Sequence, residues 1–172
     1  MDFPEFVSSS DSVRNYNPEA VVPAQTLQRI AEAARMAPSA ANRQPWRIFM
    51  IQSEKVLKAV RQAYTASWFA DAPVVAAVVG YPELAWVRKS DQYCSIETDL
   101  TILMDHLILA AHAEGVSSCW IAAFDPELMR KALGLNENQL VYAVSPLGYP
   151  RTESESTRPK SRKSMKDLIV WM

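Results

Sequence analysis

The sequence predicts one domain built on a mixed β-sheet covered by helices. An unbroken apolar run at residues 73–80 has the character of a strand buried on both faces. Helical and strand-like segments alternate with connections of uneven length, and no motif recurs at a fixed period, which argues against a solenoid or a barrel. A chain of 172 residues can bury about two thirds of its extended surface in a single core, so two independent domains would be cramped.

Taken in order, the first helix is signalled by Pro23 near its start and by Leu27, Ile30, Ala31 and Ala34 at i, i+3, i+4 and i+7; Pro38 stops it. After the turn Pro38-Ser39-Ala40-Ala41-Asn42-Arg43-Gln44-Pro45 comes Trp46-Arg47-Ile48-Phe49-Met50-Ile51, aromatic, β-branched and short enough for a strand. A helical segment around Val56 to Tyr64 leads into the 73–80 run, the expected centre of the sheet. The longest helix should span about Ile96 to Glu114, with Leu100, Leu103, Met104, Leu107, Ala110 and Ala111 as a wide apolar stripe ended by Gly115. Ser118-Cys119-Trp120-Ile121 has strand character. Asp125 and Pro126 then open a helix as N-cap and first residue, and Gly134 closes it. Leu140 to Val144 is a further strand. Beyond Tyr149 the composition turns to Pro, Ser, Thr and charge, and becomes apolar again only at Leu168-Ile169-Val170-Trp171. Such a tail cannot bury itself, so it is expected to dock at a distance, on its own sheet or on a partner's edge.

Eighteen basic residues stand against nineteen acidic ones, and a net charge of −1 creates no whole-protein field to draw nucleic acid or an anionic membrane. Any anion must be held by a local site. Met1-Asp2-Phe3-Pro4-Glu5 has neither a basic n-region nor an apolar h-region, and no apolar run approaches the ~20 residues of a bilayer span, so a cytoplasmic protein is expected. Cys94 and Cys119 are too few and too far apart for a metal knuckle or a disulfide framework; both are expected to be reduced, with Cys119 buried. His106 and His112 lie six apart in a helical stretch and so on different faces, and no metal site is expected.

No carboxylate pair with an evident partner, Ser/His/Asp combination or phosphate-cradling glycine loop stands out, and the chain has only four glycines. Three segments remain. Residues 38–44 are dense in small hydroxyl and amide side chains, which also form ordinary turns. Arg158-Pro159-Lys160-Ser161-Arg162-Lys163 is the densest basic cluster; it is either a solvated charge run or an Arg fork and Lys point charge that clamp a phosphate. Ser12-Val13-Arg14-Asn15-Tyr16 sets a hydroxyl and a guanidinium on one side of an extended segment.

These segments share a resemblance. Pro38-Ser39-Ala40-Ala41-Asn42-Arg43-Gln44-Pro45-Trp46, following Glu32-Ala33-Ala34-Arg35-Met36-Ala37, resembles the signature of the FMN-dependent nitroreductase family, approximately AARxAPSxxNxQPW. The likeness takes in Ser12-Val13-Arg14, Asp71-Ala72-Pro73, the stretch from Leu107 to Gly115, Cys119 to Phe124, Pro146 to Pro150 and Lys160 to Lys163, in order and over nearly the whole chain. It implies the α+β class, one domain over residues 1–172, and an intertwined homodimer in which residues from about 150 to 172 embrace the partner and exchange an edge strand of the mixed sheet. FMN would lie in the subunit interface. Pro38, Ser39 and Asn42, with Gln44 beside them, would approach the flavin from one subunit; Ser12, Arg14, Lys160 and Arg162 would come from the other, the last two facing the phosphate. Trp120, Ile121, Ala122 and Ala123 would run past the ring, where the backbone at Ala122 and Ala123 can meet flavin N5.

The function so implied is hydride transfer from NADH or NADPH through flavin N5 to a small-molecule oxidant, a nitroaromatic, quinone or similar acceptor, in a ping-pong cycle with no side-chain catalyst. The cofactor does the difficult chemistry; the protein holds the ring, places a donor at N5 and sets positive charge near N1 and O2. Two other readings stand beside it: a flavin-site relative with another reductive task, and a non-catalytic dimer that binds FMN or another planar ligand. Three departures bear on the choice. Ser10 and Asp11 occupy places that are usually basic, and each lost charge-assisted hydrogen bond is worth about 1.5–3 kcal/mol. Ala122 stands where relatives tend to have glycine. Residues 64–71 carry no insertion that could build a large lid.

Overall fold

Asp2 caps a first helix, α1 (Phe3–Ser9): its carboxylate accepts the Glu5 N–H at 2.9 Å, and the Glu5 side chain in turn accepts the Asp2 N–H. Such a reciprocal capping box can begin a helix that has no apolar stripe. No residue of α1 is buried, which is why periodicity does not reveal it. The computed structural model describes residues 2–151 and 160–172, so Arg158 and Pro159 of the basic cluster lie outside the described residues.

The elements that follow are α2 (Ala24–Ala34), β1 (Trp46–Ile51), α3 (Glu54–Ala63), α4 (Ser67–Ala70), β2 (Val74–Gly80), α5 (Ile96–Ala113), β3 (Ser117–Ser118), α6 (Pro126–Ala132), β4 (Leu140–Gly148) and α7 (Met165–Leu168). The caps read from the sequence are present. The Asp125 carboxylate accepts the Leu128 N–H at 2.9 Å to open α6, and Gly115 and Gly134 take the positive φ that lets each helix end.

The sheet order is β1-β2-β4-β3, and β2 lies between two partners, as its unbroken apolar run predicts. All seven of its residues are buried. Alternate side chains supply two cores. Val74, Ala76 and Val78 pack with Leu27 and Ile30 of α2 and with Leu100, Leu103 and Leu107 of α5. Val75, Ala77 and Val79 pack with Leu57 and Val60 of α3, Phe69 of α4 and Met129 of α6. Helices therefore cover both faces of the sheet, as the α+β reading requires. Within the described residues the three ladders are antiparallel, and parallel pairing occurs at the Ser12↔Ser118 bridge.

Two strands differ from expectation. Only Ser117 and Ser118 form a ladder with β4; Cys119 and Trp120 leave it, and Ile121 returns through an isolated bridge to Val144. The Ser145 hydroxyl accepts the Cys119 N–H at 3.2 Å, so a side chain replaces a ladder carbonyl there. Strand β4 runs to Gly148 rather than stopping at Val144, through Ser145 and Pro146. A following proline biases Ser145 toward extended backbone, and pairing with β2 holds it so. The apolar end of the chain stays uncovered by its own sheet, with Trp171 87% exposed.

Two glycines mark close approaches. A Cβ at Gly148 would lie 2.9 Å from Pro73 Cδ and 3.1 Å from a Tyr16 ring carbon, whereas one at Gly80 would meet the movable Leu100 Cδ1 at 2.5 Å. Gly148→Ala is expected to lower stability by about 1–3 kcal/mol and Gly80→Ala by less, because two rings cannot yield as a terminal methyl can. Urea midpoints of the two variants measure this; the reverse order would contradict the packing described.

Candidate functional site

The turn after α2 is held in an unusual backbone conformation. Ser39 is extended, residues Ala40–Asn42 form one 3-10 turn, and Ala41, Asn42 and Gln44 have φ of 50°, 53° and 49°. Left-handed backbone costs about 1–2 kcal/mol per residue outside glycine, so the turn needs fixed partners. Inside it, the Gln44 N–H donates to Ser39 Oγ at 2.9 Å and Gln44 Nε2 to Asn42 Oδ1 at 3.1 Å. At its exit, the Trp46 N–H donates to Gln44 O at 2.8 Å and the Tyr81 N–H to Pro45 O at 2.9 Å. At its entry, the Ala40 N–H donates to Asp99 Oδ1 at 2.9 Å.

Asp99 is a residue that the sequence reading passes over. It is 1% exposed in the first turn of α5, and its second oxygen accepts the hydroxyl of buried Ser95 at 2.7 Å. The signal was available: an acid three after Ile96 and four before Leu103 sits inside the apolar stripe, where a carboxylate is retained only with partners. Around it, Pro38, Asn42 and Gln44 are exposed and Ser39 is half-buried.

A second group gathers around the 12–16 segment. The Val13 N–H donates to Ser118 O at 2.9 Å, which binds Ser12 and Arg14 to the edge of β3. Tyr16 is fully buried, its hydroxyl donates to Val13 O at 3.0 Å, and burial pushes the phenol far up from its ordinary value. Arg14 and Ser12 are exposed, and the guanidinium is laid 5.9 Å from the Trp68 ring centre. Beneath them Cys119 is buried; burial pushes its thiol up, opposed by the Arg14 charge and the Ser12 hydroxyl.

Lys160 joins this group. Its ammonium donates to the carbonyls of Val7, at 2.9 Å, and Ser10, closing the C-terminal end of α1. Arg162 is exposed, and its Nη1 donates to Ser161 O at 2.8 Å. Asp11 lines a cleft of about 210 Å³ with Ser9, Ser10, His112 and Ser118. His112 meets Ser9 Oγ at 2.8 Å and the tilted Phe6 ring at 4.9 Å, while His106 pairs with Ile102 O. Each histidine thus has a packing role. Among the described residues no three or more His, Cys, Asp or Glu side chains are grouped to hold a metal, and no helix is long and apolar enough to cross a membrane.

The 120–123 segment leaves the sheet beside both cores. The Trp120 ring stands edge-on to Tyr142, whose hydroxyl meets Thr101 Oγ1 at 2.5 Å. Ile121 is buried and doubly bonded to Val144. Ala122 and Ala123 are exposed, and among the described residues their amides have no backbone acceptor. No hydrogen bond or ion pair among these residues links the 38–44 turn to Ser12, Arg14, Lys160 or Arg162.

This helix-covered sheet has close counterparts among solved structures. A nitroreductase family protein from Clostridium difficile superposes with a TM-score of 0.87 at 27% identity, over 99% of this chain and 98% of that one. The structure of an Exiguobacterium sibiricum protein in complex with FMN gives a TM-score of 0.85 at 21% identity, over 100% and 98% of the two chains. These define an α+β domain of the nitroreductase fold. Residues 8–68 and 57–149 match the Nitroreductase family model, and the chain belongs to that family. An NADH dehydrogenase from Thermus thermophilus is 30% identical over 190 aligned residues, covering 93% of this chain and 91% of its own length. An Archaeoglobus fulgidus protein, provisionally described as an NADH dehydrogenase/NAD(P)H nitroreductase, is 31% identical over 155, covering 84% and 83%.

Because burial raises both the Cys119 thiol and the Tyr16 phenol, the folded chain holds these protons more tightly than the unfolded one. Their stabilising contribution is complete below the ordinary thiol value of 9.0 and declines as pH rises beyond it. The urea midpoint is expected to fall between about pH 9 and about pH 11; a flat or rising midpoint would contradict this. At neutral pH a thiol reagent should modify Cys94 in the native protein and Cys119 only after unfolding.

Proposed function

We propose that the protein is an FMN-dependent oxidoreductase that takes electrons from NADH or NADPH and delivers them to a nitroaromatic, quinone or similar small acceptor, working as a homodimer. The observation that carries this reading is the 38–44 turn, left-handed at Ala41, Asn42 and Gln44 with the Asn42 and Gln44 amides exposed beside half-buried Ser39, in a chain of the Nitroreductase family. The names of the T. thermophilus and A. fulgidus relatives support the nucleotide, and the FMN held by the E. sibiricum protein supports the cofactor.

The donor set fits such a group. Exposed amides at Ala122 and Ala123, without backbone acceptors among the described residues, suit a polar ring edge, and the Asn42 and Gln44 side chains retain bonding capacity beyond their mutual contact. Arg14, Lys160 and Arg162 supply the positive charge that a phosphate and a reduced flavin require. When bound, FMN supplies the electron and hydride chemistry, so no side chain of this protein has to act as acid or base. Among the described residues no hydrogen bond or ion pair joins the two residue groups within one chain, as their meeting across a subunit interface would require.

The same reading gives the apolar tail a place. Strand β1 pairs with β2 alone, and its other edge has no partner among the described residues. Leu168 to Trp171 of a second copy is our candidate to cover that edge. A tail added parallel to β1 would make the sheet mixed, as the family resemblance implies. A non-catalytic ligand-binding dimer is the second reading, favoured by one observation: the Asp11 carboxylate lines the cleft next to Ser10, whose carbonyl occupies Lys160.

The purified protein is expected to be yellow, to bleach anaerobically with NADH or NADPH and to recover on addition of an acceptor. Bound flavin that never bleaches would establish the second reading instead. Arg162→Ala should weaken FMN binding about tenfold while changing folding stability by less than about 0.5 kcal/mol, since an exposed cation contributes little to the fold. Asp11→Arg should tighten FMN binding about tenfold by replacing a repulsive charge with an attractive one. Flavin titrations of both variants test these; unchanged affinities would remove Arg162 and Asp11 from the phosphate region.

A further inference from the structure

We infer that Asp99 is the positioning residue of the flavin-contacting turn, fixing its entry to the core and to the base of the neighbouring hairpin. The inference rests on the reading that residues 38–44 contact FMN. Bonds internal to the turn, such as Gln44 N–H to Ser39 Oγ, shape it but cannot place it relative to the sheet. Its exit is fixed through Pro45 and Trp46, which continue into β1. Its entry is fixed by the Ala40 N–H bond to Asp99 Oδ1.

The carboxylate is well suited to this task. It stands in the first turn of the 18-residue α5, where the helix dipole favours negative charge, and the same helix is anchored by fully buried Leu100 and Leu103. A reference point on α5 therefore moves little. The other oxygen, through Ser95 Oγ, reaches the base of a hairpin closed by Ser95 N–H to Trp86 O at 2.9 Å and by the Val87↔Cys94 bridge. One buried side chain thus bonds both to the turn that enters β1 and to the hairpin that precedes α5. Without it, three left-handed residues would have no fixed partner at their leading end, and the turn could relax to ordinary backbone.

The test compares Asp99→Leu, Asp99→Asn and Ser95→Ala in the full chain by three readouts: amide hydrogen exchange of the 38–45 segment without flavin, FMN affinity, and urea midpoint. Leucine keeps the branched shape of aspartate but offers no acceptor to the Ala40 N–H or the buried Ser95 hydroxyl, so Asp99→Leu should lower the midpoint modestly while leaving a cooperative transition. It should speed exchange in 38–45 by about tenfold with β2 unaffected, and weaken FMN about tenfold. Asparagine can still accept from Ala40 and can donate to Ser95, so Asp99→Asn should stay within about threefold of the parent in both readouts. Unchanged exchange and affinity in Asp99→Leu, or equal damage in Asp99→Asn, would overturn the proposal. If Asp99→Leu does not fold, Ser95→Ala decides: faster exchange in 38–45 supports it and unchanged exchange overturns it. A parent that binds no FMN would defeat the flavin reading, while the exchange data still judge the role of Asp99.

Discussion

Burial of β2 on both faces is the constraint on which the remaining structure depends. A strand with no solvent face must be covered twice, and its alternating side chains divide the interior into one core under α2 and α5 and another under α3, α4 and α6. Each layer then has a determined position. Helix α5 turns Leu100, Leu103, Met104 and Leu107 inward as the wall of one core, and the turn before β1 is tied to the same helix through Asp99. Functional groups can be placed accurately only against walls of this kind, since close-packed interiors transmit displacement instead of absorbing it.

The candidate site lies where regular structure ends. Left-handed backbone at Ala41, Asn42 and Gln44 is unfavourable for the isolated chain, and the exposed Ala122 and Ala123 amides have no backbone acceptor among the described residues. The 38–44 turn leads into β1 and the 122–123 segment follows β3 of the same sheet, so both are positioned by the fold. Asp99 belongs to this arrangement, as a polar group buried for the sake of a loop.

Charge around the 12–16 segment is arranged differently. Lys160 spends hydrogen bonds on the end of α1, Arg14 rests on Trp68, and Arg162 projects into solvent. With Asp11 nearby, the local positive field is weaker than three cations alone would make it. Affinity for an anionic group at this place should therefore depend on salt and on how these side chains rearrange. The N-terminal helix, the basic segment and His112 are joined through Lys160, Ser9 and Phe6, so that α1 takes part in the region despite having no buried residue.

Most of the architecture was legible in the residues. The strand centre at 73–80, the stripe of α5, the Asp125 cap and the glycines that end helices follow from local chemistry and periodicity, which act over a few residues and leave direct marks in sequence. The turn at 38–44 was legible as a motif, through its likeness to a family. What only the tertiary structure decided depends on partners distant in the chain: the truncation of β3 by the Ser145 hydroxyl, the continuation of β4 through Pro146, the seating of Lys160 on α1 and the brace from Asp99 to Ala40. The sequence determines which residues must be buried and which cannot lie in a helix; a hydrogen bond spanning 59 positions exists only once the layers have met, because its geometry belongs to the packing and to neither residue alone.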